Sequence, residues 1–224
     1  MKDDGFDEQD EPPDNGPWYC SFCNWIKTVY YRFDKSFVTF FIVQNINHGF
    51  WVCATLAAKD YFKEYLHLDP GEMQLYVSGI SIPWTFKILY GVISDNVPIC
   101  GTRRKSWLII MGLVQFIMLF TLSMTAPTEP LAVTMLLAGA SLSEAFVNVV
   151  SDAIMVIQAR KDKRFGSQDF VSVLYISSGF GGALGCVYGG LMTQYSTPLW
   201  CWFGYSFFGL IVTFFACLLN KQAE

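Results

Sequence analysis

Charged and amide side chains interrupt the long apolar segments of this chain, and they are the residues whose types could do chemistry. Glu144, Asn148 and Asp152 recur every fourth residue, so on a helix they share one face. Lys87 lies within another apolar segment, where a cation is costly unless it faces protein or water. We expect Lys87 to pair with one of the two carboxylates inside a membrane protein.

This polar group supports two interpretations. The side chains either line a cavity that water can reach, as a solute or proton site, or form a buried pair that fixes helix packing. Gln44 and His48, four residues apart in a further apolar segment, would join that site or serve as hydrogen bonds between helices. The candidate solute-binding residues are Gln44, His48, Lys87, Glu144, Asn148 and Asp152.

The composition is that of an integral membrane protein. The 224 residues are 53% hydrophobic and 15% charged, and a soluble domain needs more charge to cover its surface. Six segments have the length and apolarity of membrane helices, so the predicted fold class is an all-α bundle of six transmembrane helices over residues 35–224. The predicted spans are 36–58, 73–94, 106–126, 131–157, 170–195 and 199–219.

Two different regions precede the bundle. Residues 1–17 are acidic and rich in proline and glycine, which predicts a tail that is disordered or held by a partner. Residues 18–34 repeat aromatic and aliphatic side chains, such as Phe22 and Trp25, at helical spacing. This pattern predicts an amphipathic helix that lies along the membrane surface.

The loop charges predict the orientation. Most of the 15 basic residues lie near the termini and in the 95–105 and 158–169 loops, whereas the opposite loops hold Lys59 and Lys63. The positive-inside rule therefore places both termini on the cytoplasmic side, or on the matrix or stromal side of an organelle membrane.

Motifs for soluble enzymes are absent from the sequence. There is no Walker loop, HExxH, GxSxG or dinucleotide fingerprint, so we expect neither an enzyme nor a cofactor. Cys20 and Cys23 form a lone CxxC, which lacks the four ligands of a structural zinc site. We expect no metal and no nucleic acid, and partners drawn from the lipid bilayer and other membrane helices.

A stripe of small residues runs along the fifth predicted span. Gly181, Gly185 and Gly189 recur every fourth residue and would let two helices approach closely. Packing within one chain is the favoured interpretation, and a seam between two copies is the alternative. In the second span, Pro83 should bend the helix close to Lys87.

A polar loop motif follows the second span. Gly91 and Asp95 are followed by Gly101, Arg103 and Arg104. The aspartate and the two arginines can pair with each other and cap helix ends at one membrane face. The motif resembles the gating loop of the major facilitator superfamily, with a longer insert than usual.

A more particular resemblance covers residues 36–219. PWTFKILYGVISDNVPICGTRRKSW is similar to the form of this motif found in the folate–biopterin transporter family. The resemblance implies two six-helix bundles facing each other across a cavity, of which this chain is the N-terminal one, and a folate or pterin ligand. Three further stretches resemble the same family: LAAKDYFKEYLHLDPGEMQ, AFVNVVSDAIMVIQAR and QDFVSVLYISSGFGGALGCVYGGL.

The chain departs from this family at charged positions. Asn148 and Ile157 stand where the family often has acidic residues, and Ser178 stands where an arginine is typical, whereas Asp152 and Arg160 keep their places. Alternating access needs one bundle to rock against another. The chain would transport only if two bundles associate, for instance as a homodimer. The alternatives are a non-transporting accessory subunit of a larger membrane complex, for example in an organelle, and a truncated gene model.

Overall fold

The computed structural model describes residues 18–99, 104–160, 162 and 166–219, with side chains from Phe22 onward. The described chain is mainly helical. A π-helical turn, Tyr61–Tyr65, extends the second helix, and a 3-10 segment, Ile82–Phe86, joins the third helix to the fourth. The α-helices are α1 (Trp18–Arg32), α2 (Lys35–Asp60), α3 (Pro70–Ser81), α4 (Lys87–Asn96), α5 (Lys105–Thr125), α6 (Pro130–Ala159), α7 (Gly166–Tyr195) and α8 (Pro198–Cys217).

Four helices of the described chain, α5 to α8, are long and apolar enough to cross a membrane. Helix α2 is also long, at 26 residues, but carries a run of amides and a histidine in its middle. The second predicted span, 73–94, is not one continuous helix, because it is divided into α3, the 3-10 segment and α4. The fold is that of an all-α membrane protein, and the count of six spans stays a prediction.

Pro83 explains the interruption of the second predicted span. Proline has no backbone N–H and its ring collides with the preceding turn, so a regular α-helix cannot continue through it. The hydroxyl of Tyr90 donates a hydrogen bond to the Pro83 carbonyl oxygen at 2.8 Å, which satisfies an acceptor that would be costly in hydrocarbon. Lys87 then opens α4 immediately after the break.

Helix α2 lies at the centre of the bundle. It packs most extensively against α7 and also contacts α8, α6 and α3. Helix α5 packs between α6 and α8, and both α3 and α4 lie against α6. Buried aromatic side chains fill the two ends of this core, with Phe37 and Phe170 in one cluster and Trp202 in the other.

Small residues allow the close approach of α2 and α7 within the chain. A Cβ atom on Gly181 would overlap the backbone carbonyl of Ile46, and one on Gly49 would overlap that of Ser178. A Cβ on Gly185 would lie 3.0 Å from the Phe50 Cα atom. The glycine stripe of α7 therefore faces α2 of the same chain, with backbone against backbone.

Helix α1 is fastened to the ends of α2 and α7. The indole N–H of Trp25 donates to Asp169 at 2.8 Å, and Arg32 forms an ion pair with Asp162 at 2.9 Å. The Phe33 ring lies 4.6 Å from that of Phe170. A bend joins α1 to α2, and the two helices are in contact.

The glycine stripe gives a matched test of helix packing. We expect Gly181→Ala to lower the unfolding midpoint in mild detergent by several degrees, because the new methyl group meets backbone and overpacking costs about 1–3 kcal/mol. Gly179→Ala, on the same helix with no atom within 4 Å of the added Cβ, is the control and should change the midpoint little. Equal effects of the two substitutions would contradict this packing.

Candidate functional site

Glu144 is the centre of a fully buried polar network. Its side chain is 0% exposed and accepts hydrogen bonds from Gln44 at 3.1 Å and from Asn47 at 2.6 Å. The Nδ1 atom of His48 lies 3.4 Å from the same carboxylate, so a protonated imidazole would form an ion pair with it. One carboxylate of α6 thereby holds three side chains of α2.

The network extends to two further helices. Asn47 and Gln115 of α5 exchange two amide hydrogen bonds, at 3.2 and 3.1 Å. The hydroxyl of Tyr205 on α8 donates to the backbone oxygen of Asn47 at 3.2 Å. We call Gln44, Asn47, Gln115 and Glu144 the Glu144 network. It joins α2, α5 and α6 by side chains, and it is closed to solvent because each member is at most 1% exposed.

A second group of polar side chains lies on the same face of α6 but is partly accessible. The ammonium of Lys87 donates to the Asn148 side-chain oxygen at 2.9 Å and lies 4.5 Å from the centre of the Trp84 ring. That ring is 5.3 Å from the His48 ring. We call His48, Trp84, Lys87, Asn148 and Asp152 the Lys87 cluster.

The expected partner of Lys87 was a carboxylate, and the structure corrects this. Among the described residues, no carboxylate oxygen lies within ion-pair distance of the ammonium, and the neutral amide of Asn148 accepts its hydrogen bond instead. The reason is geometric, because the carboxylate of Glu144 is already engaged by Gln44 and Asn47 of α2. Asp152 interacts with the charges of Lys87 and His48 from farther away.

Asp152 carries an unused hydrogen-bonding atom. Its Oδ1 atom is buried and has no hydrogen-bond partner among the described residues, although the residue as a whole is only half-buried. A buried acceptor without a partner is costly, so such atoms need an explanation. The half-buried Lys87 is therefore the charged group of the Lys87 cluster that a solute or water could contact, whereas the Asp152 Oδ1 atom is enclosed.

Two described residues of the loop motif, Asp95 and Arg104, form an ion pair. Both Nε and Nη2 of Arg104 donate to the Oδ1 atom of Asp95, at 3.0 and 2.7 Å. A Cβ atom added to Gly91 would contact the side chain of Val149 on α6. The predicted motif residues Gly101 and Arg103 lie outside the residues that the structure describes.

Four residues of this region were not among the predicted site residues: Asn47, Trp84, Gln115 and Tyr205. Gln115 is a single amide in an otherwise apolar 21-residue helix, a signal that could have revealed it. Trp84 stands three residues before Lys87 and could have been chosen as its aromatic neighbour. Nothing in the sequence marks Tyr205, because only the tertiary fold brings its hydroxyl to α2.

Comparison with known proteins decides the family. A family model described as the BT1 family matches residues 48–224. The chain belongs to the BT1 family. Its relatives are named as transporters rather than enzymes, and the resemblance to folate–biopterin transporters is confirmed.

Individual relatives of this BT1 chain come from distant organisms. It is 28% identical over 169 residues to Probable folate-biopterin transporter 4 of Arabidopsis thaliana, covering 75% of this chain and 34% of that protein. It is 28% identical over 127 residues to Folate transporter 1 of Plasmodium falciparum, with 57% and 25% covered. The Folate-biopterin transporter of Synechocystis is 27% identical over 142 residues, with 62% and 28% covered.

The BT1 chain spans about a third of the length of the curated relatives it matches, as the 34% coverage of the Arabidopsis protein shows. No solved structure matches it.

The burial of Glu144 makes a prediction about stability. We expect Glu144→Ala to lower the free energy of unfolding by about 3–5 kcal/mol, because it leaves buried amide donors of α2 without an acceptor. Asp152→Ala on the same helix, whose carboxylate makes no described hydrogen bond, is the control and should cost far less. Denaturation of the two purified variants in detergent would measure this, and a larger loss for Asp152→Ala would refute the assignment.

Proposed function

We propose that this chain supplies one six-helix bundle of a membrane transporter for a folate or pterin. Family membership and the names of the relatives support the solute class. In this proposal α2, the α3–α4 segment and α5 to α8 are the six spans, and both termini lie on the cytoplasmic, matrix or stromal side. The opposing bundle that alternating access requires lies outside residues 1–224, in a second copy or in another chain segment.

The observation that carries the proposal is the environment of the Lys87 ammonium group. Its ammonium is half-buried beside Trp84 and bonded to a neutral amide, so its positive charge is not neutralised by direct contact with a described carboxylate. A charge in that position attracts an anion, and folates carry carboxylates. The neighbouring rings of Trp84 and His48 offer flat apolar surfaces to a planar heterocycle. We therefore assign the Lys87 cluster to solute binding.

Glu144 and Gln44 take a different role in this proposal. Both were candidates for solute binding, but each is buried and bonded to the other. A solute would have to displace these hydrogen bonds to reach them. We infer that the Glu144 network holds α2 and α6 in place and that the Lys87 cluster forms the surface the solute meets. The Asp95–Arg104 pair would brace the loop after α4 during rocking of the bundle.

The proposal predicts a loss of folate binding without a loss of fold. We expect Lys87→Gln to weaken binding of radiolabelled folate to the protein in nanodiscs by about 10- to 100-fold, as for the loss of a charge-assisted contact. Lys63→Gln, an exposed lysine at the far end of α2, is the control and should bind normally. Equal folate binding by Lys87→Gln and the unaltered chain, with equal unfolding midpoints, would refute the site.

The mass of the purified complex in mild detergent identifies the opposing bundle. Two copies of the chain that bind folate would support the homodimer. Recovery in fixed ratio with unrelated membrane proteins, without folate binding, would instead support the accessory-subunit alternative and contradict transport by this chain.

A further inference from the structure

An open apolar cavity lies beneath α1, where this helix crosses the ends of α2 and α7. Its volume is about 70 Å³, several times what one water molecule needs, so it has room for a short segment of hydrocarbon chain. The hydroxyl groups of Tyr30 and Ser177 are the polar side-chain groups at its wall besides the Trp25 indole. The apolar wall includes Phe22, Ile26 and Val29 of α1, Ile42 of α2, and Val173 and Ile176 of α7.

Helix α1, which covers this cavity, is held in place by polar contacts that lie outside the cavity. Trp25 donates to Asp169 at the start of α7, and Arg32 bridges Asp162 and Asp169 at 2.9 and 3.4 Å. These bonds fasten α1 to the loop and the first turn of α7. The apolar face of α1 therefore stays above α2 and α7 without filling the space between them, and Ile176 remains 48% exposed.

The position of the cavity determines what can fill it. It is bounded by α7, a helix long and apolar enough to span the membrane, and Ile176 of its wall is exposed, so we infer that its open side faces the bilayer. Water would find almost no hydrogen-bond partners on its walls. The preceding residues 1–17 are a poor alternative, because seven of the first 14 are acidic. Hydrocarbon chains are the apolar molecules that surround this site.

Two lysines lie close in sequence to residues that line the cavity. Lys27 follows the lining residue Ile26 on α1 and is exposed, and neither it nor Lys35 has an acidic partner among the described residues. The Lys35 ammonium lies 5.1 Å from the centre of the Tyr31 ring. Lysines with apolar stems and free ammonium groups at a membrane surface attract anionic lipid headgroups.

We propose that this cavity binds an acyl chain of an anionic phospholipid, with the headgroup held by Lys27 and Lys35. The bound chain completes the apolar contact between α1 and the bundle. The site would exist whether or not the chain transports a folate, because the Lys87 cluster contributes nothing to it.

Photo-crosslinking in lipid nanodiscs tests the acyl-chain site. The probe is phosphatidylglycerol with a photoactivatable acyl chain, diluted into phosphatidylcholine, and labelled peptides are located by mass spectrometry. We expect labelling concentrated on α1 and on Val173–Ser177. Ile176→Trp should reduce it about tenfold, which corresponds to about two methylene groups no longer buried. Leu184→Trp, two turns along the exposed side of α7, is the control and should retain it.

A second variant and a second lipid complete the test. Ile26→Trp fills the cavity from α1 and should reduce labelling as Ile176→Trp does. Lys27→Gln combined with Lys35→Gln should abolish the preference for phosphatidylglycerol over an equally photoactivatable phosphatidylcholine, whereas Lys63→Gln should keep it. Labelling spread evenly over the helices, or unchanged by both tryptophans, would overturn the proposal. Crosslinks from residues 1–17 into the cavity would also overturn it.

Discussion

A carboxylate buried among apolar helices imposes the constraint on which the rest of this structure depends. In hydrocarbon every polar group must find its partner inside the protein. Glu144 is fully buried, and its partners on α2 are two amide donors and a histidine. Each hydrogen bond contributes modestly, but leaving one unmade costs about 1–3 kcal/mol. The network therefore fixes the rotation of α2 against α6, which in turn aligns the glycine stripe of α7 with the backbone of α2.

The same face of α6 changes character along its length. Asn148 and Asp152 lie about 6 and 12 Å beyond Glu144 along the helix axis. There the polar stripe is less completely enclosed, since Asn148 is 7% exposed and Asp152 is half-buried, and Lys87 at the start of α4 reaches Asn148. One stripe of polar residues thus serves two purposes. Its buried end stabilises the bundle, and its less enclosed end places the ammonium of Lys87 where a solute could meet it.

Apolar segment length and helical periodicity were sufficient to predict part of this architecture. The apolar length predicted the helices that became α5 to α8, and the periodicity predicted the common face of Glu144 and Asn148. It could not show which of these side chains would be enclosed, since enclosure depends on the rotation of neighbouring helices. The partner of Lys87 was predicted wrongly for this reason. Tyr205 was missed because only the packed bundle brings its hydroxyl to Asn47, whereas Gln115 was marked in the sequence as the single amide of α5 and only its partner was hidden.

Water access along α4 is the most direct test of this division between a buried anchor and an accessible site. Lys87→Cys and Ile88→Cys would be compared in a background whose seven cysteines are replaced by alanine, using a membrane-impermeant thiol reagent on protein in lipid vesicles. Thiols react as thiolates, which need water. The account predicts rapid modification at position 87 and none at position 88, where the side chain is 83% exposed and meets lipid. Protection at position 87, or equal reaction at both positions, would contradict it.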